Sequence, residues 1–125
     1  GVMDAACRGA KSADGLTIGI LPTNHNNAIS TAVDIAIFTD MGNARNNINV
    51  LSSDVVVACG LGLGTVSEIA LALKAQKPVI LLNQEQISQV FFKHLAAGRI
   101  WIAKDFAATI DRIRQILDAP TLRKE

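Results

Sequence analysis

Although half of this chain is hydrophobic, no uninterrupted apolar run approaches the roughly 20 residues that cross a bilayer. An embedded helix is therefore not expected. Charge of one sign is missing too: 12 Lys and Arg stand among 11 Asp and Glu, for a formal net charge of +1. A broad basic face for nucleic acid is excluded on that balance. Trp101 and four phenylalanines are all the aromatic side chains present, too few for a row of base-stacking platforms. The two cysteines, Cys7 and Cys59, have no metal-ligand spacing and make no disulfide framework. No basic-then-apolar leader with a cleavage site opens the chain, so the cytoplasm is the expected compartment. Repeats, low-complexity tracts and interdomain linkers are absent as well. What remains is 125 residues, enough for one domain with a real core.

The stretch that is there in strength runs from Cys59 to Glu68, Cys-Gly-Leu-Gly-Leu-Gly-Thr-Val-Ser-Glu. Before it, Asp54–Ala58 is a short β-branched run of the kind that parallel sheets bury. After it, Ile69–Gln76 is rich in Ala, Leu and Lys, all good helix formers. A strand that bends through Gly60, Gly62 and Gly64 into a helix offers unpaired N–H groups and the positive end of a helix dipole, an attractive seat for an oxyanion. Glycines at such a turn also have a plain conformational reason to be there. Thr65 is expected as the N-cap, with Glu68 as its capping-box partner before any catalytic role.

The rest of the chain alternates. Val2–Ala13 predicts a helix with Val2, Ala5, Ala6, Ala10 and Ala13 on one face, ended by Asp14-Gly15. Strands are expected at 17–21, stopped by Pro22, and at 33–39. The stretch 41–51 has Ala44, Ile48 and Leu51 near helical spacing. Lys77-Pro78 breaks the glycine-turn helix, and a strand follows over 79–82. A helix over 86–97 closed by Gly98, a short strand at 100–103 and a final helix complete the pattern. Asp105 caps that last helix, which carries Ile110, Ile113 and Leu117 at core spacing. From Pro120 the charged tail is expected to fray. The opening Gly1–Ala6 reads as the start of a helix with no strand before it, so an N-terminal piece is expected to be missing.

Alternating apolar strands and helices imply a parallel sheet covered on both faces, with ligands outside the C-terminal ends of the strands. The polar loop 23–27, the segment 41–49 and the glycine turn all fall at such ends, which predicts one shared cleft. Arg45 stands among Asn43, Asn46, Asn47 and Asn49. A guanidinium suits bidentate oxyanion binding, and asparagines suit a heterocycle's donors and acceptors. A solvated helix face explains the same residues, and both readings stay open. His25 and His94 read as surface residues, and Cys59 as a packed small side chain. The helix around Ile69–Leu73 is apolar nearly all round, which predicts cover by a second subunit.

Taken together, Gly1–Ala6, Ile18–Pro22, Met41-Gly42 through Arg45–Asn49, and Gly62–Thr65 with Glu68 resemble the Rossmann-like Lonely Guy/lysine-decarboxylase-like superfamily. Glu68–Ala75, Lys77-Pro78-Val79, Phe91-Phe92 and Ala97-Gly98 resemble one branch of it, the molybdenum cofactor carrier proteins. The resemblance runs over the whole chain and implies a single ligand-binding domain, 1–125, with a Rossmann-like three-layer α/β/α fold and a mainly parallel sheet. Relatives open with a further strand, helix and strand, so it also implies missing N-terminal strands. The implied function is non-enzymatic: holding molybdopterin-based cofactor, or molybdate, shielding it and passing it on. Gly60, Gly62, Leu63, Gly64 and Thr65 would then take the oxyanion, and Arg45, Asn46 and Asn49 would add side-chain contacts, with no metal held by protein side chains. A homo-oligomer, a tetramer, is implied, with molybdoenzymes or cofactor-synthesis proteins as partners.

The enzymatic branch of that superfamily hydrolyses the N-glycosidic bond of nucleoside monophosphates. Its resemblance would give Glu68 and Arg45 to the reacting centre. Here Gly60 stands for that branch's proline, Leu61 for its first glycine, and Asn46 for the lysine beside the arginine.

Overall fold

The computed structural model describes residues 1–119; the tail expected to fray from Pro120 lies outside the described residues. In chain order the elements are α1 (Val2–Ser12), β1 (Ile18–Leu21), β2 (Ile35–Phe38), a 3-10 turn (Gly42–Ala44), α2 (Arg45–Leu51), β3 (Val56–Cys59), α3 (Leu63–Lys74), β4 (Val79–Leu82), α4 (Gln86–Ala96), a 3-10 turn (Ala97–Arg99), β5 (Ile100–Ala103) and α5 (Phe106–Asp118). Strands and helices thus fall where the apolar runs and breakers place them. The ladders among the described residues are parallel; β3, β4 and β5 are joined through helices, whereas β1 and β2 are joined by the loop 22–34. The ladders form two sheets, β1-β2 and β3-β4-β5. The chain correspondingly divides into two compact units, Gly1–Asn49 and Val50 onward.

In the first unit, β1 and β2 pair in register from Ile18 with Ile35 to Leu21 with Phe38. A polar clasp holds the strand entrances together. The N–H and Oγ1 of Thr17 donate to Asp34 Oδ2 at 3.0 and 3.2 Å, and Asp34 N–H donates back to Thr17 Oγ1 at 2.8 Å. Lys11 adds an ion pair to Asp34 at 3.0 Å. The Thr17 amide first, then Lys11, holds the Asp34 carboxyl below the usual carboxylate range. The Ser30 hydroxyl donates to Asp4, which also pairs with Arg8 at 2.9 Å and is likewise held low, chiefly by Ser30.

Two expectations for α1 need correcting. Its buried residue is Cys7, while Val2, Ala5 and Ala6 are exposed, so the inward face is turned away from the small-residue stripe. The residue with left-handed backbone at its exit is Asp14 (φ 57°), not Gly15. Gly15 is needed for another reason: its N–H donates to the Ala10 carbonyl at 2.7 Å, and a Cβ there would lie 2.9 Å from that oxygen.

In the second unit β4 is central, and all four of its residues are buried. Side chains alternate along it, so it feeds two cores. Val79 and Leu81 join Ile69 and Ala72 of α3, Phe92 of α4 and Val50 on one face. Ile80 and Leu82 join Ala103 and Ile116 of α5 on the other. Helices therefore cover both faces of a parallel sheet, the Rossmann-like α/β/α layering. Burial of each large aliphatic side chain there contributes about 1.5–3 kcal/mol. Asp105 caps α5 as expected, its Oδ1 accepting the Ala108 N–H at 2.8 Å. Of the expected stripe on α5, Ile113 packs against this second core and Leu117 is half-buried, but Ile110 is exposed, and Thr109 and Ile116 are the buried residues. Thr109 and Ile116 share the 3–4 spacing with Ile113, and the packing partner, not spacing alone, decides which neighbours join it.

Candidate functional site: the glycine turn and the α2 arginine

The turn after β3 is built as an open helix entrance. Gly60 has φ +72°, and its N–H donates to the Leu82 carbonyl at 3.1 Å, tying the turn to the exit of β4. Gly62 is the N-cap of α3 in an extended conformation, with no side-chain hydrogen bond capping the helix. Gly62 thus brings no side-chain cap to the first-turn N–H groups of this 12-residue helix, which stand at the positive end of the helix dipole. This corrects the expectation for Thr65. It lies inside the first turn, two residues past Leu63, and is not the N-cap; Glu68 sits half-buried in the second turn. The helix starts earlier because Gly62 can be the extended cap itself. Ser67 donates its hydroxyl to the Gly64 carbonyl at 2.6 Å.

Only Gly60 needs to be glycine for its backbone. A Cβ built on Gly62 or Gly64 meets nothing within 4 Å, and neither residue has a positive φ. Glycine inside a helix costs about 0.5–1 kcal/mol relative to alanine. That cost falls on Gly64, whereas Gly62 is the extended N-cap; both leave bare backbone facing open space. Leu63 between them is 91% exposed. The entrance is uncovered.

The residue that sequence reasoning missed is Gln84. It follows β4, is 9% exposed, and its Nε2 donates to the Gly60 carbonyl. Its own carbonyl accepts from Gln89 Nε2 at 2.9 Å. Its Oε1 is buried and has no hydrogen-bond partner among the described residues. The rule that flagged the other loops, a position at a strand's C-terminal end, applies to residues 83–85 equally.

In the first unit, Arg45 opens α2. Its Nη1 donates to the Ile20 carbonyl near the C-terminal end of β1 at 2.8 Å, and its Nε is buried without a partner among the described residues. Asn46 is buried and Asn49 exposed. Cys59, half-buried at the end of β3, has its thiol pushed up by burial, which disfavours the nucleophilic thiolate. Among the described residues no three His, Cys, Asp or Glu side chains come together to hold a metal ion, and no helix is long and apolar enough to cross a membrane.

With this geometry in hand, comparison with known proteins decides the family. The model of the SLOG cluster4 family matches residues 1–110. The chain belongs to the SLOG cluster4 family. Two solved structures resemble this SLOG cluster4 protein over nearly all of its length. The molybdenum cofactor binding protein of the phototrophic bacterium Rippkaea orientalis is 61% identical with a TM-score of 0.90, over 94% of this chain and 72% of that one. The molybdenum cofactor carrier protein of Chlamydomonas reinhardtii is 51% identical with a TM-score of 0.88, over 95% and 73% respectively. An uncharacterised protein of Archaeoglobus fulgidus is 51% identical over 83 residues, which is 66% of this chain. The match spans 54% of that relative's length. The Rossmann-like fold and the carrier-protein resemblance read from the motifs agree with these likenesses.

Proposed function

We propose that this protein binds and carries molybdenum cofactor without transforming it, as one ligand-binding domain over residues 1–125. The observation that carries the reading is the entrance of α3, with a glycine N-cap and open space at Gly62 and Gly64, in a chain that is 61% identical to a molybdenum cofactor binding protein. The cofactor bears a phosphate and an oxo-molybdenum group, and both are oxyanions. Amides at Gly60, Gly62, Leu63, Gly64 and Thr65 would take one of them. Arg45 would take an anion or a pterin oxygen through donors that Ile20 leaves free, with Asn46 and Asn49 adding amide contacts. Molybdate is a smaller ligand of the same chemistry.

A homo-oligomer, a tetramer, fits the exposed apolar surface. Such surface includes α4, where Ile87, Val90, Phe91 and Leu95 are each more than half exposed; on α3 Ile69 and Ala72 are buried within the chain while Leu63 is exposed. Cofactor-synthesis proteins would supply the ligand and molybdoenzymes receive it, in the cytoplasm.

The test is to purify the protein from cells that make the cofactor and measure bound molybdenum and pterin. Stoichiometric amounts of both are expected, and a ligand-free protein that takes up neither on incubation sinks the reading. The alternative, a nucleoside 5′-monophosphate phosphoribohydrolase with Glu68 and Arg45 in the reacting centre, is separated by incubation with AMP. Release of adenine that disappears in Glu68→Ala would move the function to that reaction.

A further inference from the structure

Gln84 is an expensive residue where it stands. It is nine-tenths buried, gains a hydrogen bond through Nε2 to the Gly60 carbonyl, and leaves Oε1 buried and unpaired among the described residues. The carboxamide cannot be turned over to repair this, since Oε1 would then face the oxygen of Gly60. A buried acceptor left unpaired lowers stability, and removing it with an apolar residue of the same shape would offset the loss of the bond to Gly60. The position is therefore poorly explained by stability alone. What the bond does locally is hold one carbonyl. Gly60 is at φ +72°, a backbone that glycine enters and leaves readily, and two residues later the chain becomes the N-cap of α3. If the peptide after Gly60 rotated, its carbonyl oxygen would be free to turn toward the helix entrance, where an acceptor repels an anion. The strut is itself braced, because Gln89 Nε2 donates to the Gln84 carbonyl from the first turn of α4.

We propose that Gln84 is a positioning residue for an oxyanion subsite at the entrance of α3: its carboxamide pins the Gly60 carbonyl and keeps the first-turn amides presented to the anion. This rests on the proposed reading of that entrance as an anion subsite and adds the residue that sets its geometry.

Sulfate serves as the probe, titrated into the protein while the backbone amide NMR signals of Gly62, Leu63, Gly64 and Thr65 are followed. In the unaltered protein these four signals shift together. If they do not, the anion reading itself has failed, before any variant is made, and the proposal falls with it. In Gln84→Met, close in volume but with neither donor nor acceptor, sulfate affinity is expected to drop about tenfold while Tm stays equal or rises. Unchanged affinity, or affinity and Tm falling together, overturns the proposal in favour of packing alone. Gln84→Glu supplies the second arm. Its carboxylate has no proton for Gly60 at neutral pH, but burial raises its pKa and protonation on acidification restores a donor. Sulfate affinity in Gln84→Glu should then climb to the level of the unaltered protein measured at the same pH. Recovery only to the level of Gln84→Met would show relief of charge repulsion and no strut, and would overturn the assignment.

Discussion

The guanidinium of Arg45 reaches back 25 residues to donate from Nη1 to the carbonyl of Ile20 at 2.8 Å. That bond ties the guanidinium to the end of β1; under the proposed reading, its remaining exposed N–H groups would meet the ligand. Arg45→Ala should weaken cofactor retention by about tenfold, the scale of one charge-assisted contact, as read by molybdenum left after gel filtration. Arg45→Lys should restore little, because an ammonium cannot hold the carbonyl and an oxyanion in one plane. Unchanged retention in both variants removes Arg45 from the site.

Gly64→Ala sets helix stability against ligand access. Space for a methyl group is open at this position, and alanine favours the helix, so stability should rise by about 0.5–1 kcal/mol in urea unfolding. Cofactor binding should fall in the same variant, since the methyl group would stand in the approach to the first-turn amides. A gain in stability with full binding would show that the bare backbone is not what the ligand touches.

Asp105 gives a control away from the proposed site. Its carboxylate caps α5 through the Ala108 amide at 2.8 Å. Asp105→Ala should cost about 1 kcal/mol of stability and leave cofactor retention as it was.

The clasp between Asp34 and Thr17 makes the first unit acid-sensitive in a defined direction. Its carboxyl titrates below the ordinary value in the folded chain, with the Thr17 amide as the main cause. Stability from it is fully present above the unfolded-state pKa of about 3.9 and is lost as pH falls through the lower folded value. Asp34→Asn should therefore have a lower Tm than the unaltered protein at neutral pH, and the gap should close as pH falls below about 4. A gap that persists at low pH would assign the effect to packing.

How far the sequence carried depends on what decided each feature. Strands at 18–21, 56–59 and 79–82 were legible because β-branched runs bounded by Gly, Pro or Lys-Pro admit few other structures. The α5 cap was legible because Asp105 has one obvious partner three residues on. The start of α3 was not, because Gly62 and Thr65 are both acceptable caps and only the path of the turn chooses between them. On α5 Ile113 was legible and Ile116 was not, for a similar reason: Ile110 and Ile116 are equal in hydrophobicity, and the sheet picks one. Gln84 carried no signal of its own, being a polar residue in a polar loop until the fold sets it against Gly60.

The central position of β4 has a kinetic side. Val79 finds its ladder partners, Val56 and Ile100, more than twenty residues away in either direction, and no tight hairpin can seed a parallel pair. Both crossovers must close before Ile80 and Leu81 are enclosed, so loop entropy is spent ahead of most of the reward. Assembly of this half of the molecule should be slow for its size, and trimming β4, as in Ile80→Val, should retard refolding as well as hasten unfolding.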